Sequence, residues 1–142
     1  MSVVVDASIL AKWFVEEEGS DDARKLQRRA LFAPDLVIVE TANVLWKKVR
    51  QGSFDAAFVP RAIAVLQQAD LTLTESLTLA SRAVEVAIML DHAVYDCFYL
   101  SLAELRGVPF VSADDRLARK LLTKPAAASA EVIPLARFGD TP

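Results

Sequence analysis

The fold is decided by residues 95–117, YDCFYLSLAELRGVPFVSADDRL. Phe98, Leu102 and Leu105 recur at helical spacing, and Tyr95, Tyr99 and Leu100 widen the same stripe, which predicts a helix. Gly107 supplies its stop, and Pro109 stands at the start of the next segment, where a strand tolerates it. Val108 to Val111 is too short for a helix and apolar enough for a central strand. Acids bracket this unit: Asp96 in the first helical turn, Asp114 and Asp115 just past the strand. Ligands of open α/β sheets sit at the carboxyl ends of the strands, so further acids at matching positions carry the most interest.

Two such acids stand upstream. Ser2-Val3-Val4-Val5 reads as a short strand buried on both faces, and it ends in Asp6. That aspartate either caps the following helix with Ser8 or holds a cation. Leu31-Phe32-Ala33, closed by Pro34, predicts a second strand, and Asp35 is placed to cap a helix from Leu36 to about Val49. Glu40 lies inside that helix beside Val37 and Val44. An acid on an apolar face is costly unless paired or coordinated, so Glu40 has either an arginine partner or a functional one. Asn43, one turn on, could orient it or a bound water.

The remaining segments complete an alternation of strands and helices. Asp55 to Gln68 is a helix in which Pro60 marks a kink or the true first turn. Leu71 to Thr74 alternates as a strand, and Glu75 and Ser76 open a helix to about Leu90 with its stripe at Leu79, Ala83, Val86, Ala87 and Leu90. Asp91-His92 links to the helix of the opening stretch; the single histidine lacks the companions of a zinc set and reads as a loop or cap residue. Arg116 to Leu122 forms a short helix, and Val132 to Leu135 an edge strand. The alternation predicts a parallel sheet with helices on both faces.

Bulk properties narrow the function. The 142 residues suit one domain, residues 1–142, and 54% hydrophobic content allows a sizeable core. No apolar run reaches the ~20 residues of a membrane span. No basic leader precedes an apolar core, and the lone Cys97 cannot form an internal disulfide, so a reducing cytoplasm is expected. Cys97 reads as core filler. The acidic run Glu16 to Asp22 reads as solvated surface. A net charge of −3 argues against a simple electrostatic nucleic-acid clamp, unless the acids bind divalent ions.

Asp6, Glu40, Asp96 and Asp114, if convergent, would repel one another unless a cation neutralised them. Carboxylates without His or Cys select Mg²⁺ or Mn²⁺ over zinc. Such an ion can acidify bound water and stabilise charge on a phosphate, which points to phosphodiester hydrolysis.

Four segments then carry a resemblance: VVVDASILAKWF, APDLVIVETANVLWK, YDCFYLSLAELRG and VPFVSADDRL, spread from Val3 to Leu117. Together they resemble the PIN-domain ribonucleases, specifically the VapC-like toxins of toxin–antitoxin pairs. The resemblance implies a three-layer α/β/α sandwich around a central, mostly parallel sheet, and Mg²⁺-dependent RNA cleavage in which Mn²⁺ substitutes. By position it implies a metal set of Asp6, Asp96 and Asp114, with Glu40 positioning a water or a second ion. It implies products bearing a 5′-phosphate and a 3′-hydroxyl, a homodimer, and inhibition by a VapB-like antitoxin that reaches the pocket with a basic side chain. Ser8 matches a small hydroxyl residue common after the first acid. Ser112-Ala113-Asp114 stands where Thr-Ala-Asp is common. Asp115 is expected to face a basic neighbour or cap the next helix.

Candidates for steering RNA are Arg24, Lys25, Arg28, Arg29, Lys47, Lys48, Arg116, Arg119 and Lys120, each also an ordinary solvated helix residue. Trp13, Phe14 and Trp46 either stack bases, contact a partner or pack inside. The rival readings are a phosphatase with Asp6 as nucleophile, which wants a second Asp where Ser8 stands; a non-catalytic PIN-like RNA- or protein-binding module; and a structural protein whose acids only cap helices.

Overall fold

A computed structural model describes residues 1–139; residues 140–142, at the end of the expected domain, lie outside the described residues. Five strands form one all-parallel sheet in the order β3-β2-β1-β4-β5. These are β1 (Val3–Val5), β2 (Leu31–Pro34), β3 (Leu71–Thr74), β4 (Phe110–Ser112) and β5 (Val132–Pro134). Among the described residues eight α-helices flank them: α1 (Ala7–Ala11), α2 (Ser20–Lys25), α3 (Leu36–Arg50), α4 (Val59–Gln68), α5 (Ser76–Leu90), α6 (Val94–Arg106), α7 (Arg116–Thr123) and α8 (Leu135–Gly139). This is the expected three-layer sandwich.

Parallel strands need crossovers, and right-handed crossovers place α1 to α4 on one face and α5 to α7 on the other. Accordingly α1 packs on α3, while α6 packs on α5 and lies across β1 and β2. The triple-valine β1 is wholly buried at the centre of the sheet. Val4 pairs with both Phe32 and Phe110. The chain runs outward from β1 through β2 to β3, then returns to place β4 on the other side of β1. The carboxyl ends of β1 and β4 therefore flank a topological switch point, where a crevice opens.

Local chemistry explains where elements stop, and where expectation and structure differ. Gly107 closes α6 in the left-handed region at φ 66°, and the Val108 N–H donates to the Ala103 carbonyl at 3.1 Å. That closure consumes Val108, so β4 begins at Phe110 instead of Val108. Within α6, Cys97, Tyr99, Leu100, Leu102 and Ala103 are buried, whereas Tyr95 and Leu105 face solvent; the helix carries more apolar residues than its inner face can take. Asp35 precedes α3 but does not cap it with its side chain. Its carboxylate instead accepts from the Ser76 amide at 3.2 Å and the Ser76 hydroxyl at 2.5 Å, tying α3 to the start of α5. Pro60 lies in the first turn of α4. Among the described residues no single helix is long and apolar enough to cross a membrane.

Candidate active site

At the switch point Asp6, Glu40, Asp96 and Asp114 line one cleft of ≈ 770 Å³. Each acid comes from a different element. Asp6 follows β1 and also caps α1, accepting from the Ile9 amide at 3.3 Å; the capping and site positions are the same position. The Ser8 hydroxyl donates to Asp6 Oδ1, and the Ser112 hydroxyl donates to Oδ2 at 2.6 Å. Both serines also accept from backbone: Ser8 from the Ala113 amide at 3.2 Å, Ser112 from the Asp114 amide at 3.1 Å. Two hydroxyl relays thus fasten the β4 loop, and with it Asp114, to Asp6.

Burial pushes the Asp6 carboxyl up to about 6 from an ordinary 3.8, against the three hydrogen bonds that favour its charge and with the negative Asp96 adding to the rise. A carboxyl raised in the folded state holds its proton more tightly there than in the unfolded chain. Its contribution to stability is therefore full below pH 3.8 and is lost as pH rises through 6. In metal-free protein Asp6→Asn should be more stable than wild type by about 1–3 kcal/mol at pH 8. The gap should close as pH falls toward 4, as read by urea unfolding across the range.

Glu40 has a phenol for its partner where an arginine was one of the two expectations. The Tyr99 hydroxyl of α6 donates to Glu40 Oε1 of α3 at 2.5 Å, bridging the two helix layers over the end of the sheet. Burial raises the Glu40 carboxyl, the Tyr99 hydrogen bond opposes the rise, and Asp96 adds to it. Burial and the adjacent Glu40 also hold the Tyr99 phenol protonated, well above its usual range. Beneath the site the Tyr99 ring stacks on Phe110 of β4, centroids 5.5 Å apart.

Asp96 stands in the first turn of α6 with Oδ2 2.7 Å from His92 Nε2. His92 is placed by the C-terminal closure of α5, where Asp91 turns left-handed at φ 50° and the His92 amide donates to the Ala87 carbonyl. Asp114 is gripped by Arg116 through Nε at 2.9 Å and through the backbone amide at 3.0 Å. That grip holds the Asp114 carboxyl below the usual carboxylate range. Asp115 pairs with Arg119 at 3.2 Å.

The basic and aromatic candidates divide by position. Lys47, Lys48 and Arg116 line the cleft. Arg24, Lys25, Arg28 and Arg29 instead gather around Met1, at the amino end of β1 and so at the opposite edge of the sheet. Arg24 is paired there with Glu16 and Asp21, Lys25 with Asp22. Lys120 donates to the Asp91 carbonyl. Trp13 is buried with its indole N–H on the Ala23 carbonyl, while Trp46 is exposed beneath Arg50. Cys97 is buried, and burial pushes its thiol up to about 11, which leaves it inert core. Glu17, expected on solvated surface, lines the cleft between Lys12 and Lys48. Tyr99, read as part of an apolar stripe, His92, read as a loop or cap residue, and Lys12 join the site; the spacing of His92 and Tyr99, four before and three after Asp96, was the available signal.

The donor set is oxygen-rich and suits a hard divalent cation. As the side chains stand, no three among the described residues are grouped to hold an ion, because Asp114 is turned onto Arg116 and Glu40 onto Tyr99. The buried Asp6, made more basic by burial and by Asp96, is nonetheless a carboxylate that a cation would relieve.

Residues 3–120 match the family described as PIN domain. The chain belongs to the PIN-domain family. It is similar to "Ribonuclease VapC3" of Pyrobaculum aerophilum, 32% identical over 124 residues that cover 84% of this chain and 95% of the relative. The crystal structure of PAE2754 from Pyrobaculum aerophilum aligns over 99% of this chain and 100% of that one, at 29% identity and a TM-score of 0.66. A toxin–antitoxin complex from Klebsiella pneumoniae aligns over 94% of this PIN-domain chain and 97% of its own, with a TM-score of 0.62; at 13% identity the likeness is one of fold alone.

Proposed function

We propose that this PIN-domain protein is a metal-dependent endoribonuclease, the toxin of a cytoplasmic toxin–antitoxin pair. The observation that carries the reading is the convergence of Asp6, Glu40, Asp96 and Asp114 on one cleft at the switch point of the sheet. The ribonuclease name of its Pyrobaculum relative supports the choice of RNA, and the VapC3 in that name, with the VapC-like motifs of the sequence, supports an antitoxin partner.

In this reading Asp6, Asp96 and Asp114 hold Mg²⁺ or Mn²⁺, with Asp114 released by Arg116. The ion supplies charge stabilisation at the phosphate and acidifies water. Ser8 and Ser112 fix the Asp6 carboxylate, and His92 fixes one oxygen of Asp96, so these two acids are preorganised and the rearrangement falls on Asp114. Tyr99 anchors Glu40 by one oxygen and leaves the other to orient the attacking water. Water adds to phosphorus as the bond to O3′ breaks, leaving a 5′-phosphate and a 3′-hydroxyl. Leu77, Val84 and Ile88, exposed along one stripe of α5, support a homodimer.

The metal requirement is tested by melting. Mn²⁺ at 100 times its dissociation constant should raise the midpoint of the wild type by roughly 5–10 °C, and that of Asp96→Asn far less. No rise in the wild type at millimolar Mn²⁺ would contradict the metal reading.

A further inference from the structure

We propose that Lys12 and Lys48, clamped together by Glu17, form a binding subsite for an RNA backbone phosphate beside the acidic centre; the inference rests on the ribonuclease reading above. All three residues line the cleft that holds Asp6 and Asp96. Lys12 Nζ lies 3.0 Å from Glu17 Oε1 and donates to the Glu18 carbonyl at 2.8 Å; Lys48 Nζ lies 2.8 Å from Glu17 Oε2. Lys48 first, and then Lys12, hold the Glu17 carboxyl below its ordinary range, so it stays ionised.

The stoichiometry is what points to a ligand. One carboxylate shared by two ammonium groups leaves a net positive charge, where a purely structural pair would balance. Each ammonium has three donors: Lys12 has one left and Lys48 two, all beside the cleft. The lysines are also held, with side-chain exposures of only 15% and 24%. Ordering two long side chains costs rotamer entropy that partly exposed ion pairs scarcely return. Gly19, at φ +85°, packs the loop against Leu135 and Lys12: a Cβ there would lie 3.2 Å from Leu135 Cδ2 and at ordinary contact, 3.7 Å, from Lys12 Cδ and Cε. Lys47, exposed and without an ion pair among the described residues, extends the positive wall.

Function supplies the need. A cleft of four carboxylates repels a polyanion, and the protein carries a net charge of −3. Fixed ammonium groups lining the same cleft let the phosphate next to the scissile one dock while the acids keep their charge.

The test uses the full chain with Asp96→Asn as background, so that RNA is bound and not cut. Binding of a fluorescein-labelled RNA oligonucleotide of mixed sequence is followed by anisotropy from low to high salt. Lys12→Gln and Lys48→Gln should each weaken binding at low salt about 3–10-fold and reduce the slope of log K against log salt by about 0.7. Lys48→Arg should restore the slope, and Arg61→Gln, on α4 and outside the cleft, should leave it unchanged. An unchanged slope in both glutamine variants, with a lowered melting temperature, would make the clamp structural only and overturn the subsite while sparing the nuclease reading. No RNA binding by the parent at any salt would overturn both.

Discussion

Asp96→Asn is expected to abolish toxicity and to lower RNA cleavage by at least about 100-fold. Wild type, induced alone, should arrest growth; the asparagine variant should not, and coexpression of the proposed antitoxin partner should relieve the wild-type arrest. Asp96 is the sharpest probe of the four acids because its removal barely touches the fold. Its side chain is 37% exposed, and its hydrogen bond is to His92. Asn keeps the size and one acceptor while losing the charge. Asp6, by contrast, is both cap and anchor of two serines, so its variants alter stability as well. Growth arrest by both wild type and Asp96→Asn would remove carboxylate chemistry from the account.

Phe110→Ala has the largest expected effect on stability, a loss of about 3–5 kcal/mol. Phe110 is 1% exposed, pairs in register with Val4 and Val132, and stacks on Tyr99. Truncation leaves a ring-sized cavity in the central strands. For a chain of this size the melting midpoint should fall by roughly 10–20 °C. The same cavity frees the Tyr99 ring, so Glu40 loses its anchor and cleavage should fall even below the new midpoint. Trp46→Ala, at a side chain 53% exposed, should stay within about 0.5 kcal/mol of wild type. Melting curves of the two variants give the comparison directly.

Much of this was legible in the chain because it is local. Three valines followed by Asp6 announce a buried strand with an acid at its carboxyl end, and Ser112-Ala113-Asp114 repeats the pattern after β4. The alternation of such segments predicted the sheet. What the sequence hid was pairing at a distance. Glu40 and Tyr99 are 59 residues apart, and Tyr99 looked like one more apolar residue of its helix. Glu17 stood in a run of acids at a glycine, indistinguishable from solvated surface until Lys48, 31 residues on, met it. The basic face from Arg24 to Arg29 misled for a topological reason: α2 leads back to the amino end of β2, away from the acids. Asp35 lost its capping role because a stronger set of donors, the amide and hydroxyl of Ser76, lay across the sheet edge.

The proposed cleavage of RNA by Asp6, Glu40, Asp96 and Asp114 with a divalent ion is read out on purified protein. Wild type with Mn²⁺ and mixed RNA should give discrete fragments carrying 5′-phosphates, and excess chelator or Asp96→Asn should abolish them. Fragments that persist equally with chelator and in Asp96→Asn would contradict the account.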